Sequence, residues 1–179
     1  MVILSGSEEE KVRLEHEAAK LFMRCYEHDT GKEIRHIWHN RPIRPDVSCE
    51  FEGHRLDLEI AHLYATAGEA RILTREIIEQ FQNKSKGQTL DSSSTVQTSA
   101  KEQELLDYLF ELIDMDSQQR LVTALSRILS SKGQKTYDSP RVWLVIRNAS
   151  PLWKAKDFKQ CIECFNPPNN PFEQIWLLP

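Results

Sequence analysis

RPDVSCEFEGHRLDLEIAHLY, from Arg44 to Tyr64, is the stretch on which the reading of this chain turns. Val47, Cys49 and Phe51 alternate with Ser48, Glu50 and Glu52. Gly53 permits a tight turn, and the alternation then resumes. Leu56, Leu58 and Ile60 share one face, while Arg55, Asp57, Glu59 and Ala61 share the other. Side chains two apart on a strand point the same way, so the pattern predicts a β-hairpin with one apolar face. Asp57 and Glu59 then converge on the opposite face, and the turn lets Asp46 approach it from the preceding strand. A solvated sheet face would accommodate such acids. A cluster of carboxylates also suits a hard divalent cation, Mg²⁺ or Mn²⁺, bound through one or two of them.

Outward from the hairpin, Val12, Leu14, Ala18, Ala19, Leu21, Phe22 and Cys25 form an apolar stripe at helical spacing between Glu8 and His28. Ser7 before three glutamates is a plausible N-cap. Residues 34–40 read as a short strand, and two prolines in 40–45 as a loop. Helical spacing returns over 67–82 and again over 102–115 and 117–131. Between them, 83–101 is polar and rich in serine and threonine, the pattern of a flexible insertion. RVWLVIRN at 141–148 is a continuous apolar run suited to a strand buried on both faces. A helical segment at 153–165 and a strand at 172–179 complete the order. A meander followed by an α/β crossover implies a mixed α/β sheet flanked by helices, in a single domain over 1–179.

The composition narrows the function classes. With 179 residues, 40% of them hydrophobic and 28% charged, the chain has the make-up of a soluble globular protein. A net charge of −4 and a pI near 5.9 argue against a generally basic, nucleic-acid-coating surface, though not against a local basic patch. The start lacks a secretory signal and no run spans a bilayer, so a cytoplasmic protein is expected. The four cysteines offer one CIEC motif at 161–164 with no second pair, and they read as reduced thiols. Trp38, Trp143, Trp153 and Trp176 on or beside strands are expected in the core.

Pro45-Asp46, an alternating strand, a glycine turn and a second strand carrying Glu59 resemble the PD-(D/E)xK nuclease superfamily, which has the restriction-endonuclease-like fold. The motif covers Pro45–Ala61, and the element order extends the likeness over most of the chain. The resemblance implies a Mg²⁺-dependent endonuclease acting on DNA, with Asp46 and Glu59 as metal-binding acids and Asp57 beside them. It also implies a lysine at position 61, where this chain has alanine. Three arrangements are compatible with that departure. In the first, a lysine arrives from elsewhere, the candidates being Lys84, Lys86, Lys132 and Lys135. In the second, Asp57-x-Glu59 is the motif, with Glu59 in the lysine's place, and in the third the fold is kept without catalysis as a nucleic-acid- or protein-binding module. Arg44 and Arg55 are candidates for phosphate contact, a neighbouring histidine such as His62 for proton shuttling, and Glu15 or Glu17 for a further acid. A homodimer through the helices at 102–131, and a partner protein on 83–101, are further expectations.

Overall fold

The computed structural model describes residues 6–40, 45–65, 68–70 and 116–178, without side-chain detail at 6, 7, 36 and 39. The helix read over 102–115, the insertion at 83–101 and most of the helix at 67–82 lie outside these residues, as do Arg41, Arg44, Lys84 and Lys86. The chain divides into two compact units, one formed by 1–63 with 125–179 and the other by 64–124.

In chain order the described elements are α1 (Gly6–Thr30), β1 (Ile34–His39), β2 (Val47–Phe51), β3 (His54–Leu63), α2 (Ser117–Gly133), β4 (Val142–Asn148), α3 (Ala155–Cys164) and β5 (Gln174–Leu178). The five strands form one mixed sheet in the order β1-β2-β3-β4-β5. The first three are an antiparallel meander, and β4 and β5 join parallel to β3. The expected mixed α/β sheet with helices is therefore present.

The hairpin register follows the alternation: Val47 faces Leu58, Ser48 faces Asp57, and Cys49 faces Leu56. Glu52 and Gly53 make the two-residue turn with φ of 52° and 76°. Both are left-handed, which glycine adopts without the Cβ clash that other residues meet. Val47, Cys49, Phe51, Leu56, Leu58 and Ile60 all point to the face covered by α1, and each is nearly or fully buried. Phe22 and Tyr26 of α1 pack there on Phe51, Trp143 and Trp176, with ring centroids 5.3–6.1 Å apart. The opposite face carries Asp57, Glu59 and Ala61 on β3 beside Leu144 and Ile146 on β4.

Trp143 and Trp153 are buried and Trp176 is partly buried, as the sequence leads one to expect, but Trp38 is 45% exposed. It follows a register shift between Arg35 and Trp38 on the outer strand β1, where one strand face no longer meets the core. Cys25 and Cys164 are exposed, Cys49 and Cys161 buried, and all four are free thiols. In the second unit, Asp116 caps α2 by accepting the Gln119 N–H at 3.1 Å. Among the described residues no helix is long and apolar enough to cross a membrane.

Candidate functional site

Asp46 immediately precedes β2, and Asn40 holds its backbone. The Asn40 N–H donates to the Asp46 carbonyl at 3.3 Å, and its side-chain amide donates to the Pro45 carbonyl at 2.8 Å. The Asp46 carboxylate crosses to β3, where Oδ2 accepts the Ile60 N–H at 2.8 Å. Glu59 stands next to that peptide and is fully buried. Asp46 and Glu59 thus meet because hairpin pairing places the start of β2 beside the later half of β3.

Two lysines from the other end of the chain complete the cluster. Lys132 Nζ donates to Glu59 Oε1 at 2.8 Å and to the Ile60 carbonyl at 2.7 Å, and lies 3.7 Å from Asp46 Oδ2. Lys135 Nζ reaches the same Glu59 oxygen at 2.7 Å. Lys132 is in the last turn of α2, where the helix dipole favours a cation. Beyond the helix the chain turns tightly. The Lys135 N–H at 3.2 Å and the Tyr137 hydroxyl at 2.9 Å both donate to the Lys132 carbonyl. This closure brings both ammonium groups to one carboxylate.

The electrostatics follow from burial. Desolvation pushes the Asp46 carboxyl up to about 6, and the like charges of Glu59 and Glu15 push the same way. Lys132 and the Ile60 N–H hold it down against them. Burial pulls the Lys132 ammonium down, but Asp46 and Glu59 more than offset this, and its pKa ends above the usual lysine value. Glu15 is buried on α1 and pairs with Lys11 at 3.5 Å. Glu17 is instead exposed near Arg13, so of the two helix acids Glu15 is the one that acts on the site. His62 sits on the α1 side of β3. Burial pulls it down to about 4, assisted by Arg147 and Lys132, so it is neutral at pH 7.

Asp57 belongs to a different network. Its Oδ1 accepts from the Ser48 hydroxyl and from Arg55 Nε at 2.9 Å. Ser48 Oγ in turn accepts from Asn40 Nδ2 at 2.7 Å and from Arg55 Nη2 at 3.2 Å, which fills its two lone pairs. Among the described residues no set of three or more His, Cys, Asp or Glu side chains stands where it could hold a metal ion. Asp46, Asp57 and Glu59 therefore do not form one three-carboxylate cluster there. Cross-strand Ser48 and same-strand Arg55 hold Asp57 while Asp46 and Glu59 gather at the lysines.

The donor set still suits a hard cation of low protein coordination. Asp46 Oδ2, Glu59 Oε1 and the Ile60 carbonyl already converge on one positive centre, the Lys132 ammonium. Glu59 Oε2 and Asp57 Oδ2 are buried without a hydrogen-bond partner. Two carboxylates, supplemented by water, match what Mg²⁺ takes from proteins.

Sequence reasoning names Lys132 and Lys135 only as two of four candidates, and it misses Ser48 and Asn40. The signal for Ser48 was present, since it shares the polar parity of β2 and pairs directly with Asp57. No protein-family model matches this chain, and comparison with curated proteins and with solved structures found no match.

Proposed function

We propose that this chain is a metal-dependent nuclease of the PD-(D/E)xK type that hydrolyses DNA phosphodiester bonds on a restriction-endonuclease-like scaffold. One observation carries the reading: Asp46, just before β2, and Glu59 on β3 meet Lys132 in the last turn of α2, and Lys135, just beyond the helix, reaches the same Glu59. Ala61 is then no obstacle, because the cationic role passes to Lys132 and Lys135.

In this reading Asp46 and Glu59, the latter through its unpartnered Oε2, would hold Mg²⁺ or Mn²⁺. Such an ion supplies charge neutralisation at a phosphoryl oxygen and an acidified water. Lys132, the more buried of the two, neutralises Glu59 and braces Ile60. Lys135, its side chain 27% exposed, orients the attacking water and stabilises the negative charge that develops on phosphorus-bound oxygen. Arg55, half-exposed although bonded to Asp57, is available to a flanking phosphate. Arg44 lies outside the described residues and keeps that role as part of the proposal.

A second reading keeps the scaffold and drops catalysis, leaving a nucleic-acid- or protein-binding module. It is favoured by Lys132 itself, whose ammonium already lies against both carboxylates that a metal would take. Isothermal calorimetry with Mn²⁺ and a cleavage assay on single- and double-stranded DNA separate the two. The nuclease reading expects Mn²⁺ binding that Asp46→Asn weakens and cleavage that needs the metal. Absence of both binding and cleavage in the wild type leaves the binding module.

A further inference from the structure

A second feature adjoins the site. Lys135, while bonded to Glu59, also lines a cleft of about 500 Å³ formed by the segment after α2 and the segment before β5. This volume lies within the range of small-molecule clefts, roughly 300–1,000 Å³. One wall is aromatic: the rings of Tyr137 and Phe172 lie 5.5 Å apart, inclined at 58°. The Pro140 and Pro171 rings add flat apolar surface, and Thr136 stands exposed among the lining residues. Glu173 is also there, its Oε2 held by Arg141 Nε at 2.8 Å and by Trp143 Nε1 at 3.1 Å. A flat apolar interior, a fixed acid and a cation among the lining residues match one kind of ligand. That ligand has a planar ring carrying polar groups, attached to a phosphate.

We propose that this cleft receives an unpaired nucleobase next to the phosphate held at Lys135, so that the substrate is single-stranded nucleic acid. The proposal rests on the phosphodiester reading of the Asp46–Glu59–Lys135 site. A base within a duplex is stacked and paired, and it enters such a cleft only after leaving the helix, which costs a few kcal/mol. A base in a single strand enters without that cost and gains by stacking on aromatic and proline surfaces. Glu173 accepts a hydrogen bond from an exocyclic amino group, which is how carboxylates meet cytosine. The cleft therefore confers a strand preference that the acid–lysine cluster, which touches only phosphate and water, lacks.

The test is fluorescence anisotropy in EDTA, so that nothing is cleaved. The probes are a short labelled oligodeoxycytidine strand and the same strand annealed to its complement. The wild type is expected to bind the single strand roughly tenfold more tightly than the duplex. Thr136→Trp, which fills the cleft from an exposed position, lowers single-strand affinity by roughly tenfold, the loss expected for one stacked base, and leaves duplex affinity unchanged. Tyr137→Leu, which removes part of the aromatic wall, acts in the same direction. Equal affinity of the wild type for both probes, or wild-type single-strand binding by both variants, overturns the proposal. Because binding is read without metal, a wild type that cleaves nothing yet keeps the strand preference removes the nuclease reading and retains the cleft. Cleavage without strand preference does the reverse.

Discussion

Lys132→Met keeps most of the side-chain stem and deletes the ammonium on which the candidate site is centred. In the wild type that group lies 2.8 Å from Glu59 Oε1, 2.7 Å from the Ile60 carbonyl and 3.7 Å from Asp46 Oδ2. Its loss leaves fully buried Glu59 with Lys135 and removes the cation 3.7 Å from Asp46. Deleting one partner of a buried ion pair costs about 3–5 kcal/mol, and the retained Lys135 places this variant near the lower end, at about 3 kcal/mol.

The penalty depends on pH, with a sign fixed by Asp46. Its carboxyl is raised from 3.8 to about 6, with burial as the chief cause. Between those values the folded state keeps a proton that the unfolded state releases. Stability is therefore full below the unfolded pKa and falls as pH rises through the folded one, by about 3 kcal/mol for roughly two units. Lys132 restrains this rise, so its removal extends the loss to higher pH. Urea unfolding at pH 5 and pH 7.5 is the assay. Lys132→Met is expected to lose about 3 kcal/mol at pH 7.5 and clearly less at pH 5. A loss below about 0.5 kcal/mol at both values would mean that the cluster carries no buried charge pairing, and the reasoning would fail.

Ala61 is 7% exposed on the same sheet face as Glu59, so Ala61→Lys forces a long charged chain into a packed position. It is expected to lose about 3 kcal/mol or more in urea melts and to gain no cleavage activity; a stable, more active variant would refute the assignment of the cationic role to α2. Ser48→Ala and Asp57→Ala remove two ends of one buried bond, and their effects on unfolding are expected to be non-additive by about 0.5–3 kcal/mol in a double-mutant cycle. Additive effects would separate Asp57 from Ser48. A Cβ at Gly53 meets nothing within 4 Å, so Gly53→Ala suffers only from its φ of 76° and should destabilise by about 1 kcal/mol. An unchanged unfolding midpoint would contradict the left-handed turn.

The hairpin was legible because a period of two, interrupted at one glycine, leaves a single register that buries Leu56, Leu58 and Ile60 together. The same pattern brought Asp46 to Glu59. The lysines were harder, since Lys132 and Lys135 are 73 and 76 residues beyond Glu59 and only the tertiary fold selects them. Nor does spacing alone reveal that both reach Glu59, because they straddle the end of a helix and meet through a turn closed on the Lys132 carbonyl. Asp57 joins a separate network for a local reason. Its parity equals that of Glu59, yet cross-strand Ser48 and neighbouring Arg55 engage it first. Trp38 was expected in the core because aromatic strand residues usually pack, and the irregularity in β1 placed it at the surface.

Cleavage of single-stranded DNA in Mg²⁺, compared between the wild type, Glu59→Gln and Lys135→Met, tests the central claim most directly. The account predicts metal-dependent turnover by the wild type. It further predicts a loss of about 10²-fold or more in kcat for both variants, each still cooperatively folded, as removal of a charge-stabilising or proton-handling group produces. Wild-type turnover that survives both substitutions, or a folded wild type that cleaves no nucleic acid in either metal, would contradict it.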